Sequence, residues 1–234
     1  MKQLITALIA LAIIVSLQLT SYAENSLSLE ILESDTSYKS LGGELKFKDR
    51  WSFKGNYTFS QIDQYSINLN AKRLDLMVLN EIFSTEKMSS QVGIGYNYGS
   101  TQLSSNYFPD MNVSSKEHSI SLIGTGKVAL DEKLSGFGEI TYNPKVKLNG
   151  RIKNNQNDTQ ISDSTKKYGA KMGIKIKLAE NLTTRIGYSF TKYLPDDTTS
   201  NTVQVANFDF KESDLKKSFN NNQSAIFLGL ETSF

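Results

Sequence analysis

Residues 51–59 read WSFKGNYTF, and their alternation decides the fold. Trp51, Phe53, Gly55, Tyr57 and Phe59 share one parity, while Ser52, Lys54, Asn56 and Thr58 take the other. A period of two marks a strand with one apolar and one polar face, because successive side chains of an extended chain point to opposite sides. The pattern recurs along the chain. Val92, Ile94, Tyr96 and Tyr98 carry it, as do Ile120, Leu122, Gly124, Gly126 and Val128. Tyr168 to Leu178 and Leu182 to Phe190 repeat it on even positions. No comparable stretch has the i, i+3, i+4, i+7 spacing of an amphipathic helix. The last eleven residues, SAIFLGLETSF, put Ile226, Leu228, Leu230 and Phe234 on one face and Phe227, Gly229 and Glu231 on the other.

Working outward, the connections alternate between short and long. Asp49-Arg50, Ser84 to Ser89, Asp131 to Lys133 and Ala179 to Asn181 are short, whereas 100–116, 144–165 and 194–223 are long and polar. That rhythm predicts an all-β, antiparallel up-and-down barrel with one trimmed and one elaborated rim. The count is about ten strands, with eight or twelve as alternatives. Residues 202–210 are a candidate eleventh element, and 146–152 a continuation of the seventh strand beyond Pro144. Residues 1–23 read as a cleaved secretory signal peptide: Lys2, an apolar stretch, then SYA before Glu24. A retained membrane anchor is the alternative. Residues 24–234 form the single barrel domain.

Composition narrows the function classes. The 234 residues hold no cysteine, so disulfide and thiolate metal sites are excluded. Near balance between 26 basic and 24 acidic residues argues against nucleic-acid binding.

The aromatics decide which face meets lipid. Tyr57, Phe59, Tyr96, Tyr98, Tyr142, Tyr168, Tyr188 and Phe190 all fall at the long-loop end of their strands. Tyr38 lies at the same height on the opposite parity, and Phe47, Trp51 and Phe234 mark the other rim. Amphipathic rings collect at bilayer interfaces, so the apolar face points outward. Nine residues separate turn from belt, inclusively, in Trp51–Phe59, Ser90–Tyr98, Leu134–Tyr142 and Leu182–Phe190. A tilted membrane strand needs about 9–11. The polar face is then a lumen lined by Glu30, Glu44, Asp75, Glu81, Glu139 and Glu231 and by Lys46, Lys54, Arg73, Lys127, Lys171, Lys175 and Arg185. Opposite charges in a narrow barrel are expected to pair and plug it.

The signal peptide, the alternating ladder, the hairpin KMGIKIKLAENLTTRIGYSFTKY at 171–193 and the closing AIFLGLETSF together resemble the small outer-membrane β-barrels of Gram-negative bacteria. That is the broad group of outer membrane protein A and the opacity proteins. The resemblance covers the whole mature chain and implies residence in the cell outer membrane. It further implies contact with outer-membrane lipid and lipopolysaccharide, and reading of Phe234 by the barrel-assembly machinery as an assembly signal. The group holds adhesins, structural proteins, narrow channels and a few enzymes, so membership does not name a role.

No chemistry stands out. His118 is the sole histidine; Lys116 and Ile120 share its face at i±2, so no serine partner lies on its own strand. Asp196-Asp197 after Pro195 reads as a solvated turn, Asp158 and Asp163 fit no calcium loop, and Lys216-Lys217 reads as a solvated pair. No metal or cofactor is expected. Tyr107, Phe108, Pro109 and Met111 are loop residues that either pack together or anchor an external ligand, as are Val203, Val205, Phe208 and Phe210. The expected role is a monomeric structural or adhesin-like surface protein with a plugged lumen. A narrow channel is the first alternative, and a lipid-modifying or proteolytic enzyme the second.

Overall fold

The computed structural model describes residues 25–33, 37–48, 50–64, 67–105, 112–153, 158–195, 202–205, 208–211 and 223–234. Ten antiparallel strands close into a barrel. In chain order they are β1 (Ser26–Glu33), β2 (Tyr38–Lys48), β3 (Trp51–Gln64), β4 (Ile67–Ser84), β5 (Met88–Ser105), β6 (Asn112–Ala129), β7 (Leu134–Lys153), β8 (Asp158–Ala179), β9 (Leu182–Pro195) and β12 (Gln223–Ser233). Between the last two, β10 (Thr202–Val205) and β11 (Phe208–Lys211) pair with each other as a separate hairpin. The stretch 202–210 is therefore a two-stranded element outside the barrel wall and adds no strand to it.

The seam is made by the C-terminal strand. β12 pairs with β9 on one side and with β1 on the other, from Ser26↔Ser233 to Glu33↔Ile226. The backbone N–H of Phe234 donates to the carbonyl of Asn25 at 3.1 Å, so the final aromatic is tied into the wall. Closure leaves no strand edge open, which a hydrocarbon environment requires.

The outward face is apolar. Ile94, Ile120, Ile140 and Ile226 are each 60% exposed or more, and Leu122, Met172 and Leu228 more than half. Soluble proteins rarely expose so continuous an apolar surface. At its loop end Phe59 faces Lys39 and Lys72, Tyr142 stacks on Tyr168 at 5.0 Å, and Tyr188 and Phe190 are exposed. Phe47, Trp51 and Phe234 are exposed at the turn end. Tyr38 departs from both belts. It sits on the inward parity of β2 with the buried Ser40 and lines the interior, because its register across from Leu32 fixes its side.

Two stretches read as loops are largely strand. β5 continues to Ser105 and β6 begins at Asn112, while β7 and β8 run for 20 and 22 residues, narrowing the 144–165 connection to its tip. Polar composition hid the ladder because above the belt neither face meets lipid. A bulge adds to the effect. Between Asn143 and Val146, β7 carries an extra residue relative to β8. Pro144 has no N–H to give the ladder, and bulges are where a sheet tolerates proline. One extra residue flips the parity. Glu139, Thr141 and Asn143 share the inward side below the bulge; Val146, Leu148 and Ile152 are buried above it.

Candidate functional site in the barrel lumen

The interior encloses about 870 Å³, lined from Asp131, Lys133 and Glu180 at the turn rim to Leu148 and Tyr193 at the loop rim. All thirteen charges assigned to the lumen from the sequence line it. Their inward placement follows from strand parity, and the narrowness of the barrel brings Glu30, Lys54, Arg73, Asp75, Glu139, Lys171, Lys175, Arg185 and Glu231 into ion pairs.

Three groups of contacts cross this space. At mid-height, Lys54 Nζ on β3 pairs with the Glu139 carboxylate on β7. Beside it, Glu30 on β1 receives Lys171 from β8 and Arg185 from β9, the latter at 3.0 Å. Arg185 also reaches Glu231 on β12 at 3.2 Å, and Lys175 donates to the same carboxylate at 2.8 Å. This network is backed by aromatics. Phe137 and Phe227 meet with ring centroids 5.9 Å apart, the Lys171 ammonium lies 4.4 Å from the Phe227 centroid, and the Arg185 guanidinium lies 4.7 Å from that of Phe137. A cation held over an aromatic face gains from the ring quadrupole, more so away from bulk water.

The third group lies nearer the loop rim; its Arg73 and Asp75 were assigned to the lumen from the sequence, while Glu117, Lys167 and Tyr193 were missed. Lys167 on β8, 2% exposed, pairs with Glu117 on β6, and Tyr193 Oη donates to the same carboxylate at 2.9 Å. Next to it Arg73 Nε contacts both oxygens of Asp75 at 2.8 and 3.0 Å. Asn97 Nδ2 donates to Asp75 Oδ1 at 2.6 Å, and Asn143 Nδ2 donates to Asn97 Oδ1 at 2.8 Å and Ser119 Oγ at 3.0 Å. Glu117 and Lys167 share the parity of Ser119 and Lys171, so alternation continued through the belt would have found them. The inner wall is not uniformly polar either: Met77, Leu79 and Ile123 form a buried apolar cluster on it.

His118 is held elsewhere. It lies on the outward parity of β6 between Lys116 and Ile120, its Nδ1 is 2.8 Å from Tyr96 Oη, and its ring is 5.0 Å from that of Tyr98. It belongs to the aromatic belt on the outer surface. Asp158, near the β7–β8 hairpin tip, pairs with Arg151, whose hydrogen bond holds its carboxyl below the usual carboxylate range. Asp196, Asp197, Lys216, Lys217, Tyr107, Phe108, Pro109, Met111 and the first 23 residues lie outside the described residues. Among the described residues no group of acids or histidine is arranged to hold a metal.

Solved structures share this barrel fold. The outer membrane protease OmpT of Escherichia coli superposes with a TM-score of 0.60 at 9% identity, covering 91% of this chain and 94% of that one. The chain has the fold of an outer-membrane β-barrel. The porin KdgM matches with a TM-score of 0.42 at 9% identity over 89% of this chain and 99% of its own. Neisserial surface protein A matches with a TM-score of 0.33 at 10% identity over 91% and 96%. These likenesses concern the barrel's fold alone. No protein-family model matches the sequence, and no curated protein matches it.

Proposed function

We propose that this chain is a monomeric integral barrel of the bacterial outer membrane, non-enzymatic, with an ion-paired lumen that blocks free passage and a loop rim that meets the cell's surroundings. The observation that carries this reading is the Lys54–Glu139 pair. β3 and β7 are separated by three strands one way around the ring and five the other, so the pair spans the lumen near its full width. The Glu30, Arg185 and Glu231 contacts fill the same height. A barrel of about this size is largely filled by its own side chains, whereas open aqueous channels belong to about 16–18 strands. The outward placement of His118 supports the non-enzymatic reading. Delivery by a signal peptide and recognition of Phe234 by the assembly machinery belong to the same proposal.

The second reading is a narrow channel, favoured by a cavity whose lining reaches both rims. Planar-bilayer recording separates the two. Refolded wild-type protein is expected to show no steady unit conductance, and Glu139→Ala combined with Lys54→Ala to introduce one by removing the cross-lumen pair. Steady wild-type conductance that changes in Lys171→Ala or Glu139→Ala would overturn the plug.

Orientation has its own test. Because the chain has no cysteine, single substitutions Asn112→Cys and Asn149→Cys at the loop rim and Glu132→Cys at the turn rim report without background. An impermeant thiol reagent on intact cells is expected to label the first two and spare the third; the reverse pattern would invert the topology.

A further inference from the structure

One corner of the inner wall, on β3–β6, holds binding groups that the protein leaves without partners. Inward residues form two rows there. The lower runs through Thr58, Arg73, Gly99 and Glu117, and the upper through Ser60, Ala71, Thr101 and Ser115. Arg73 lies four residues nearer the loop rim than Met77, which is the register partner of Lys54. Both rows therefore stand on the loop side of the Lys54–Glu139 pair.

Arg73 is fixed in place without being used up. Both oxygens of Asp75 accept from its Nε, and Asn97 Nδ2 donates to the same carboxylate. Its Nη1 and Nη2 have no protein partner among the described residues, and the side chain is 35% exposed where it lines the cavity. The end of a guanidinium carries two parallel N–H groups that match the two oxygens of a carboxylate. Charge balance alone would be served by an ammonium, as Lys54, Lys171 and Lys175 show by each pairing with an acid.

The space beside this fork is kept clear. Gly99 leaves the wall between Arg73 and Glu117 without a side chain, and a Cβ there would stand 3.3 Å from Glu117 Cβ. Glu117 is itself engaged by Lys167 and Tyr193. One row up, about 7 Å along the strands, the cross-strand pair Thr101 and Ser115 also lines the cavity. Neither hydroxyl has a protein partner among the described residues.

We infer that this corner binds a small hydroxylated monocarboxylate, a sugar acid by class, entering from the loop rim. The carboxylate sits on the Nη edge of Arg73, and hydroxyls along the ligand chain reach Thr101 and Ser115. A monoanion is selected because Asp75 and Glu117 already bring two negative charges to the row, which a dianion would oppose more strongly. The inference goes beyond the proposed role and requires no passage through the lumen.

The test titrates the refolded mature chain in detergent micelles with gluconate by calorimetry, with acetate, glucose and inorganic phosphate as comparison probes. Wild type is expected to bind gluconate more tightly than any of the three. Arg73→Lys, which keeps the charge and loses the fork, should bind it at least about tenfold more weakly, because hydrogen bonds to charged groups are the strong ones. Thr101→Val with Ser115→Ala leaves the Arg73–Asp75 pair intact and should weaken gluconate about fivefold while leaving acetate unchanged. This double variant decides the matter if Arg73→Lys does not refold. The turn-rim control Lys133→Gln should bind as wild type does. Absence of gluconate binding by folded wild type, equal affinity in the double variant, or acetate or phosphate bound as tightly as gluconate would each overturn the inference.

Discussion

Gly187→Val is expected to prevent the barrel from reaching its native state, seen as loss of the heat-modifiable shift in gel mobility on refolding. The register places Phe137, Gly173, Gly187 and Phe227 side by side in one row across β7, β8, β9 and β12. The two glycines form a trough, and the two phenyl rings lean over it until they touch. A Cβ at Gly187 would stand 2.6 Å from Phe227 Cζ, 2.7 Å from Gly173 Cα and 2.1 Å from the Met172 carbonyl oxygen. Phe227 is fully buried and two of those three atoms are backbone, so the clash has no flexible outlet. Overpacking of this kind typically destabilises by about 1–3 kcal/mol, and the backbone contacts put it at the upper end. Phe227→Ala, which empties the trough, should destabilise by roughly 3–5 kcal/mol. Strong coupling is expected between the sites: Gly187→Ala should be better tolerated with Phe227→Leu than alone. Additive effects in that cycle would mean that the glycine does not seat the ring.

Glu30→Gln is the second large effect. Its carboxylate, 7% exposed, is the shared acceptor of Lys171 and Arg185. Removing the charge leaves two lumen cations with less compensation, and breaking a buried ion pair from one side costs about 3–5 kcal/mol. The polar-lined cavity alongside moves the expectation to about 3 kcal/mol. Arg185 keeps Glu231 as a partner, so combining Glu30→Gln with Lys171→Met should recover part of the loss. The site is also sterically committed. A Cβ at Gly229 would lie 2.6 Å from Glu30 Cγ, so Gly229→Ala should displace the same carboxylate. Urea midpoints in bilayers test all three; a Glu30→Gln midpoint equal to that of wild type would show that the network contributes no stability.

These sites show how far a one-dimensional pattern reaches. Alternation in WSFKGNYTF and its repeats is dictated by backbone geometry, so it settles strand identity, parity and hence which charges turn inward. Glu30, Lys54 and Glu139 could be assigned to the lumen without coordinates because parity is local. Their partners could not. That Lys54 meets Glu139 rather than its own cross-strand neighbour Glu44 depends on the curvature and shear of the closed ring, which place β3 opposite β7. The Phe137 to Phe227 row is likewise invisible in sequence, because it aligns four strands whose relative offsets are set by closure.

Above the belt the limit is different. Once a strand leaves the membrane, lipid no longer sorts its residues, and the alternation of 100–116 and 144–165 weakens although the ladder continues. Pro144 marks where parity changes, yet only the register shift shows in which direction. The sequence alone therefore determined that the chain alternates, where each crossing starts and stops, and which face is wet. Tertiary structure decided which charges neutralise one another and which glycines seat a neighbour, since each depends on distances between strands that only closure sets.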